Sequence, residues 1–213
     1  LDAADTKSYP GSGTIWYDRT SYKNNATASP TAAVFSSVGG GSFSFNGSNY
    51  FSINDSVSIS PSTGITMMSW TKSTSYLDYT IIGKENSYQS QTRNSNGIEN
   101  AISAGGWIEQ ITAYNILSTS NWNQITLTYS TTDYYQRTYL NGLQLTSGSM
   151  PYLRPVGYQT TIDDSSFPMY IGSWRGVSER FNGYIAIILV YNRALSASEI
   201  QQNFNSQRKR FGI

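Results

Sequence analysis

The sequence predicts an all-β sandwich of two antiparallel sheets closed by one short C-terminal helix, with residues 1–213 as a single domain. Three observations predict it. Short runs of alternating apolar and polar residues, separated by Gly, Asn and Ser clusters, recur from end to end. The run from Phe181 to Val190 carries Ile185, Ile187 and Leu189 on one parity and Ala186, Ile188 and Val190 on the other, so both faces of that strand must be covered. Directly after it, Ser196 and Glu199 have capping-box spacing, with Leu195 and Ile200 placed to close a hydrophobic staple.

Taken in order, the Ser36–Ser42 stretch with its three glycines predicts a tight turn or a mobile segment. Phe43 and Phe45 alternate with serines, and Tyr50 to Ile53 follows after Asn46-Gly47-Ser48-Asn49, which predicts a hairpin. Ile65 to Lys72, with Met67, Met68 and Trp70, predicts a strand apolar on both faces. Tyr79 to Lys84, Gly97 to Ser103 and Trp107 to Tyr114 are shorter candidates. Trp122 to Tyr129 and Tyr135 to Leu145 predict a further hairpin with a half-exposed Tyr-rich partner, and Asn141-Gly142 supplies the positive φ angles of a tight turn. Ser147 to Pro168 loses the alternation and reads as a long loop, after which Met169 to Trp174 restores a strand. Trp70 and Trp122 are assigned to the core. The Arg208–Arg210 tail has two readings, as a complement to the helix dipole, which is the preferred one, or as an anchor for an acidic neighbour.

Composition narrows the function. Only 13% of residues are charged and the formal net charge is +1, so no broad field exists to gather nucleic acid. The 17 Tyr outnumber the 14 Lys plus Arg, and with Ser, Thr, Asn and Gln they supply hydroxyl, amide and ring contacts in place of charge. That chemistry suits sugars and packed surfaces, and it is also ordinary for antiparallel β proteins. Histidine and cysteine are absent, which removes Ser-His-Asp catalysis, imidazole acid-base work, disulfides and most zinc or copper sites. A hard cation on oxygen ligands, calcium, is the one plausible metal. No apolar run approaches the roughly 20 residues of a spanning helix, so no membrane insertion is expected. Because the chain begins at Leu1, it is expected to be a C-terminal module of a longer or processed protein.

The order of elements resembles a known family. Trp16-Tyr17-Asp18, Phe43-Ser44-Phe45-Asn46-Gly47, Met68-Ser69-Trp70-Thr71-Lys72 and Ile81-Ile82-Gly83-Lys84 look like the first half of a laminin-G-like, concanavalin A-like jelly roll. Asn121 to Tyr129, Tyr139-Leu140-Asn141-Gly142, Tyr170-Ile171-Gly172 and Phe181 through Ser196 resemble its second half and terminal helix. The chain is most similar to jelly-roll modules of tailed-phage and other viral structural proteins. The resemblance implies a virion or extracellular surface, a lectin-like fold and a calcium site at the loop ends in many members. The hydrolase branch places its carboxylates on one strand as Glu-x-Asp-x-x-Glu. Here Glu85, Glu99, Glu109, Glu179 and Glu199 are scattered along the sequence, so no enzyme is expected.

For sugar contact the useful side chains are Trp107 after Gly105-Gly106, Tyr152 with Arg154 in the long loop, and Trp174 with Arg175 before Gly176. Each ring has a second reading as a lid on the core. Asp163 and Asp164 form the one adjacent acidic pair; they are either a calcium candidate or a turn whose side chains bond their own backbone. Where many relatives have small turn residues, Asp18 is followed by Arg19 and later Lys23, which argues against calcium there. The leading expectation is a non-catalytic module that touches glycans or neighbouring subunits through rim loops. The alternatives are a purely structural, self-associating decoration, fibre or tail subunit, and, third, a glycoside hydrolase or lyase.

Overall fold

The computed structural model describes residues 1–31, 34–112, 114–146, 157 and 159–213, and the backbone alone of 152–153. The strands are β1 (Ile15–Trp16), β2 (Ala26–Ser29), β3 (Val34–Ser36), β4 (Ser42–Asn46), β5 (Tyr50–Ile53), β6 (Gly64–Lys72), β7 (Tyr79–Lys84) and β8 (Tyr88–Arg93). They continue with β9 (Gly97–Ser103), β10 (Trp107–Ile111), β11 (Asn123–Ser130), β12 (Tyr135–Leu140), β13 (Leu143–Gln144), β14 (Tyr152–Leu153), β15 (Met169–Ile171) and β16 (Asn182–Tyr191), followed by helix α1 (Ala197–Gln207). One sheet has the order β1-β2-β5-β15-β7-β8-β9-β10 and the other β13-β12-β11-β6-β16-β4-β3, with β14 also pairing β12. Every pairing among these strands is antiparallel, as expected of a jelly-roll sandwich.

The main core lies between the sheets. Phe43, Phe51 and Trp16 interlock there, with Phe43 and Phe51 ring centroids 4.8 Å apart and edge-to-face. The predicted hairpin of Phe43–Phe45 with Tyr50–Ile53 does not form, because β4 and β5 belong to opposite sheets. Both segments carry apolar residues on a single parity, and each satisfies that pattern by facing the other sheet across the core. The Asn46–Asn49 segment makes the corner: Asn49 Oδ1 accepts from the Asn46 N–H at 3.0 Å and Asn49 Nδ2 donates to the Ser44 carbonyl at 3.0 Å.

β11 and β12 do pair, but the Asn141-Gly142 turn joins β12 to β13, with φ of 51° and 78° in the left-handed region, and Ser130–Tyr134 connects β11 to β12. β12 is half exposed as expected: Tyr135, Arg137 and Leu140 are partly exposed, while Gln136, Thr138 and Tyr139 are buried.

The closing strand and helix form as predicted. The Ser196 hydroxyl accepts from the Glu199 N–H and the Glu199 carboxylate accepts from the Ser196 N–H, a complete capping box. Leu195 and Ile200 are buried with Met68 and Tyr139, while Phe204 and the terminal Phe211 cover Trp70 on the outer face of β6. The Trp70 and Phe211 rings stack at 4.0 Å, and Trp70 Nε1 donates to Gln207 Oε1 at 2.6 Å. This cover is why β6 and β16 are apolar on both faces. Trp122 precedes β11 instead of lying within it, and it packs in this outer cluster. Its ring explains Gly39, where a Cβ would stand 2.5 Å from Trp122 Cζ2 in a turn with φ of 65°. Arg210 of the tail serves as an anchor, donating to Asp2 at 2.7 Å and to the Gly39 carbonyl at 2.7 Å, while Arg208 is the C-cap residue of α1, at the carbonyl end of the helix.

Candidate functional site

Strand alternation decides which side chains face outward from the β1–β10 sheet. Tyr88, Ser90 and Thr92 point inward, so Gln89, Gln91 and Arg93 point out; by register, Tyr170, Gly83, Gln89, Ala101 and Glu109 form one outward row across five strands. A bulge between Thr80 and Ile82 restores Thr80 to this face opposite Gln91.

Trp174 lies over the middle of the row. The segment after β15 turns back on itself, with Trp174 N–H donating to the Ser178 carbonyl at 2.9 Å and Arg175 and Gly176 at φ of 56° and 73°. That turn lays the Trp174 ring against Gly83, the one residue type that leaves room: a Cβ there would stand 2.9 Å from Trp174 Cε3. Trp107, at the start of β10 after the Gly105-Gly106 turn, meets Trp174 edge-to-face with centroids 6.1 Å apart. Both rings are half-buried, so neither is sealed into the core. Arg175 Nε lies 2.8 Å from Glu85 Oε2 beside them. On the other side of the turn, Tyr50 and Tyr170 pair at 5.8 Å, and the Arg180 guanidinium sits over the Tyr50 ring at 5.5 Å.

Polar groups connect these rings. Glu179 Oε2 accepts from Thr80 Oγ1 at 2.8 Å and from Gln89 Nε2 at 2.9 Å, and Gln89 also donates to Gln91 Oε1 at 2.7 Å. Glu99 continues the chain through Arg93 Nε at 3.0 Å. Burial, opposed by Arg93 and reinforced by the charges of Glu109 and Glu179, pushes the Glu99 carboxyl above its ordinary value. Glu109 and Glu179 have no cation within ion-pair distance among the described residues, whereas Glu85 and Glu99 each have an arginine.

The structure thus brings Trp107, Trp174 and Arg175 together, as two half-exposed rings and an ion pair. Arg154, and the side chain of Tyr152, lie outside the described residues. Asp163 and Asp164 do not converge. Asp163 Oδ2 accepts from Ser103 Oγ at 2.6 Å and from the Gly105 N–H at 2.9 Å, which fastens the β9–β10 turn under Trp107. Asp164 is 74% exposed, and the ammonium of the fully buried Lys84 lies 3.9 Å from its carboxylate. Lys84 Nζ also donates to the Ser165 carbonyl and pairs with Asp55 at 3.1 Å. A cation already occupies this acidic corner and one carboxylate is held by internal donors, so the residues do not fit calcium. Asp18 is likewise engaged by Thr20 and Asn24, whose hydrogen bonds hold its carboxyl below the ordinary range against the cost of burial. No group of three or more acids suited to a metal occurs among the described residues.

Sequence reasoning missed Gln89, Gln91, Glu99, Glu109, Glu179 and Tyr170. The signal for Glu99 and Glu109 was present in the alternation of Glu99, Ala101, Ser103 and of Trp107, Glu109, Ile111; their meeting on one face required the β9–β10 register. A cavity of about 340 Å³ lies elsewhere, beside Ile53, Ile59, Met169 and Ile188, and involves none of the predicted site residues.

A family model described as the concanavalin A-like lectin/glucanases superfamily matches residues 45–201. No curated protein matches the chain by sequence. Among solved structures, the binding domain of botulinum neurotoxin serotype G superposes with TM-score 0.67 at 18% identity over 90% of this chain and 48% of that one. The binding domain of Paraclostridial Mosquitocidal Protein 1 gives TM-score 0.64 at 18% identity over 89% of this chain and 49% of that one. Domain 4 of the extracellular GH43 arabinanase AbnA from Geobacillus stearothermophilus, solved in complex with arabinotriose, gives TM-score 0.55 at 16% identity over 90% of this chain and 81% of that one. The chain spans about half the length of the two toxin binding domains it matches.

Proposed function

The chain belongs to the concanavalin A-like lectin/glucanases superfamily, and from that premise we propose that it is a non-catalytic carbohydrate-binding module whose outward β1–β10 face holds a neutral glycan. The observation that carries this reading is the Trp107–Trp174 corner. The half-exposed Trp174 ring rests on Gly83 and meets the half-exposed Trp107 ring edge-to-face, next to a chain of amides, hydroxyls and carboxylates that match sugar hydroxyls. The surface is an open face, suited to a few residues of an extended chain. Glu109 and Glu179 are the uncompensated charges beside it, which favours neutral or amino sugars over acidic ones.

Binding without turnover accords with the carboxylates. Glu85 and Glu99 are paired to arginines, and Glu179 accepts two internal hydrogen bonds. A virion or other extracellular surface is the proposed setting, since an open face presenting rings and amides suits contact. The relatives support the reading through their names: two are toxin binding domains and one is an arabinanase domain with a bound oligosaccharide.

An array of neutral, amino and acidic oligosaccharides, arabino-oligosaccharides included, tests it with Trp174→Ala and Trp107→Ala as controls. Binding of neutral chains that both variants abolish is expected; an array silent for the folded parent chain would sink the proposal. Release of reducing ends from any bound polysaccharide, lost in Glu99→Gln, would replace it with a hydrolase. A structural subunit is the second reading, favoured by the edge strand β3, where Val34 and Phe35 are 63% and 40% exposed. Light scattering separates them: a concentration-independent trimer or larger oligomer supports the subunit.

A further inference from the structure

On the opposite side of the sandwich, Ser44 of β4, Tyr184 of β16 and Lys72 of β6 stand side by side, because Tyr184 is the register partner of both others. All three point away from the core, since Phe43, Phe45 and Ile185 on the alternate parity are buried within it. Thr74, just beyond β6, and Asn182, at the start of β16, complete the rim of a cavity of about 170 Å³. A water-sized group needs only roughly 10–15 Å³ by the same measure, so the cavity admits several heavy atoms.

Apart from Ser73, the cavity's polar side chains make no internal hydrogen bond or ion pair among the described residues. The Lys72 ammonium has no carboxylate within ion-pair distance among the described residues. The side chains of Ser44, Thr74, Asn182 and Tyr184 likewise have no hydrogen-bond partner among the described residues; Thr74 and Asn182 are exposed, Ser44 and Tyr184 half-buried. Ser73, between Lys72 and Thr74, is bonded instead to the carbonyls of Ser75 and Asn182, which fixes the β6 exit against β16 and so sets the cavity's shape. Gly183 permits that approach: a Cβ there would stand 2.4 Å from the Lys72 carbonyl oxygen.

One cation that shares the cavity lining with three hydroxyl-bearing side chains and an amide, with no acid among them, suits a single oxyanion. We propose that this cavity binds an oxyanion group, a sulfate or carboxylate, through Lys72 with Ser44, Thr74, Asn182 and Tyr184. It is separate from the Trp107–Trp174 face and stands whether or not that face binds glycans. The two faces differ in charge: the uncompensated groups are carboxylates on one and an ammonium on the other.

Isothermal titration at constant ionic strength, with chloride as the background anion, tests the assignment in a Trp174→Ala chain, which lacks the proposed glycan face, using a sulfated disaccharide, its desulfated counterpart and inorganic sulfate. The sulfated sugar binds and the desulfated one does not, and Lys72→Met weakens binding about 10-fold or more while the melting temperature holds. Tyr184→Phe, which keeps the ring, weakens it less. Equal affinity for inorganic sulfate, still dependent on Lys72, assigns the same site to the free anion. Equal binding of the two disaccharides, or sulfate binding unchanged in a folded Lys72→Met chain, overturns the proposal.

Discussion

The six-membered ring of Trp174 rests on the backbone of Gly83, with the site of a missing Cβ 2.9 Å from Cε3 and 3.0 Å from Cζ3. A strand glycine and a turn tryptophan, far apart in sequence, thus define the central contact of the candidate glycan face.

Gly83→Ala separates binding from folding. The added methyl must push a half-exposed ring outward, which a turn residue accommodates at a cost of about 1 kcal/mol or less, near that of other surface changes. The edge-to-face contact with Trp107 is then expected to be lost. The expected outcome is a melting temperature within a few degrees of the parent chain and glycan affinity reduced to the level of Trp174→Ala. Unchanged affinity would show that the ring position is immaterial.

Lys84 is the most deeply buried charge among the described residues, and it ties β7 to Asp55 and to the Ser165 backbone. Lys84→Met keeps the stem's packing and removes the charge-assisted bonds, worth about 1.5–3 kcal/mol for a group of this kind. Urea unfolding followed by circular dichroism should show a loss of that size, with the slope unchanged.

The capping box makes the C-terminal helix acid-sensitive. The Arg193 side chain and the Ser196 backbone and hydroxyl hold the Glu199 carboxyl well below its ordinary value, at about 2. A depressed folded-state value contributes stability above the ordinary value of 4.5, and that contribution is lost as pH falls from 4.5 through about 2. Glu199→Gln should remove this part of the acid dependence, read by thermal unfolding at pH 6 and pH 3. Ser196→Ala should cost about 1 kcal/mol at pH 6 through loss of the backbone cap, and it should also shrink the acid-dependent part, because the Ser196 hydroxyl is one of the groups that hold the Glu199 carboxyl down.

Calcium is expected to leave the protein unchanged. Lys84 holds the place beside Asp164 that a divalent ion would need, and Asp163 is engaged by Ser103 and Gly105. Thermal unfolding with millimolar calcium and with a chelator should give superimposable curves, and a calcium-dependent rise would place a metal somewhere in the chain.

The parts legible in the sequence were those governed by short-range physics. The alternation of Ile185 through Val190, the Ser196–Glu199 cap and the Leu195–Ile200 staple are written within a few residues, and each took the form predicted for it. Periodicity also marked β6 as covered on both faces, although the cover, Phe204 and Phe211 over Trp70, comes from the far end of the chain.

The sequence by itself therefore determined a two-layer antiparallel fold, its closing strand and helix, and the absence of imidazole and thiol chemistry, because composition, alternation and capping act locally. Only the tertiary structure decided that β4 and β5 part into opposite sheets and that the Asn141-Gly142 turn serves β13. It also decided that Trp107 meets Trp174, that four scattered glutamates gather about one face, and that Lys72 joins Ser44 and Tyr184 on the other. Each of those outcomes depends on which strand lies beside which and in what register, and register is fixed by burying both sheets' inner faces at once, a condition no local segment contains.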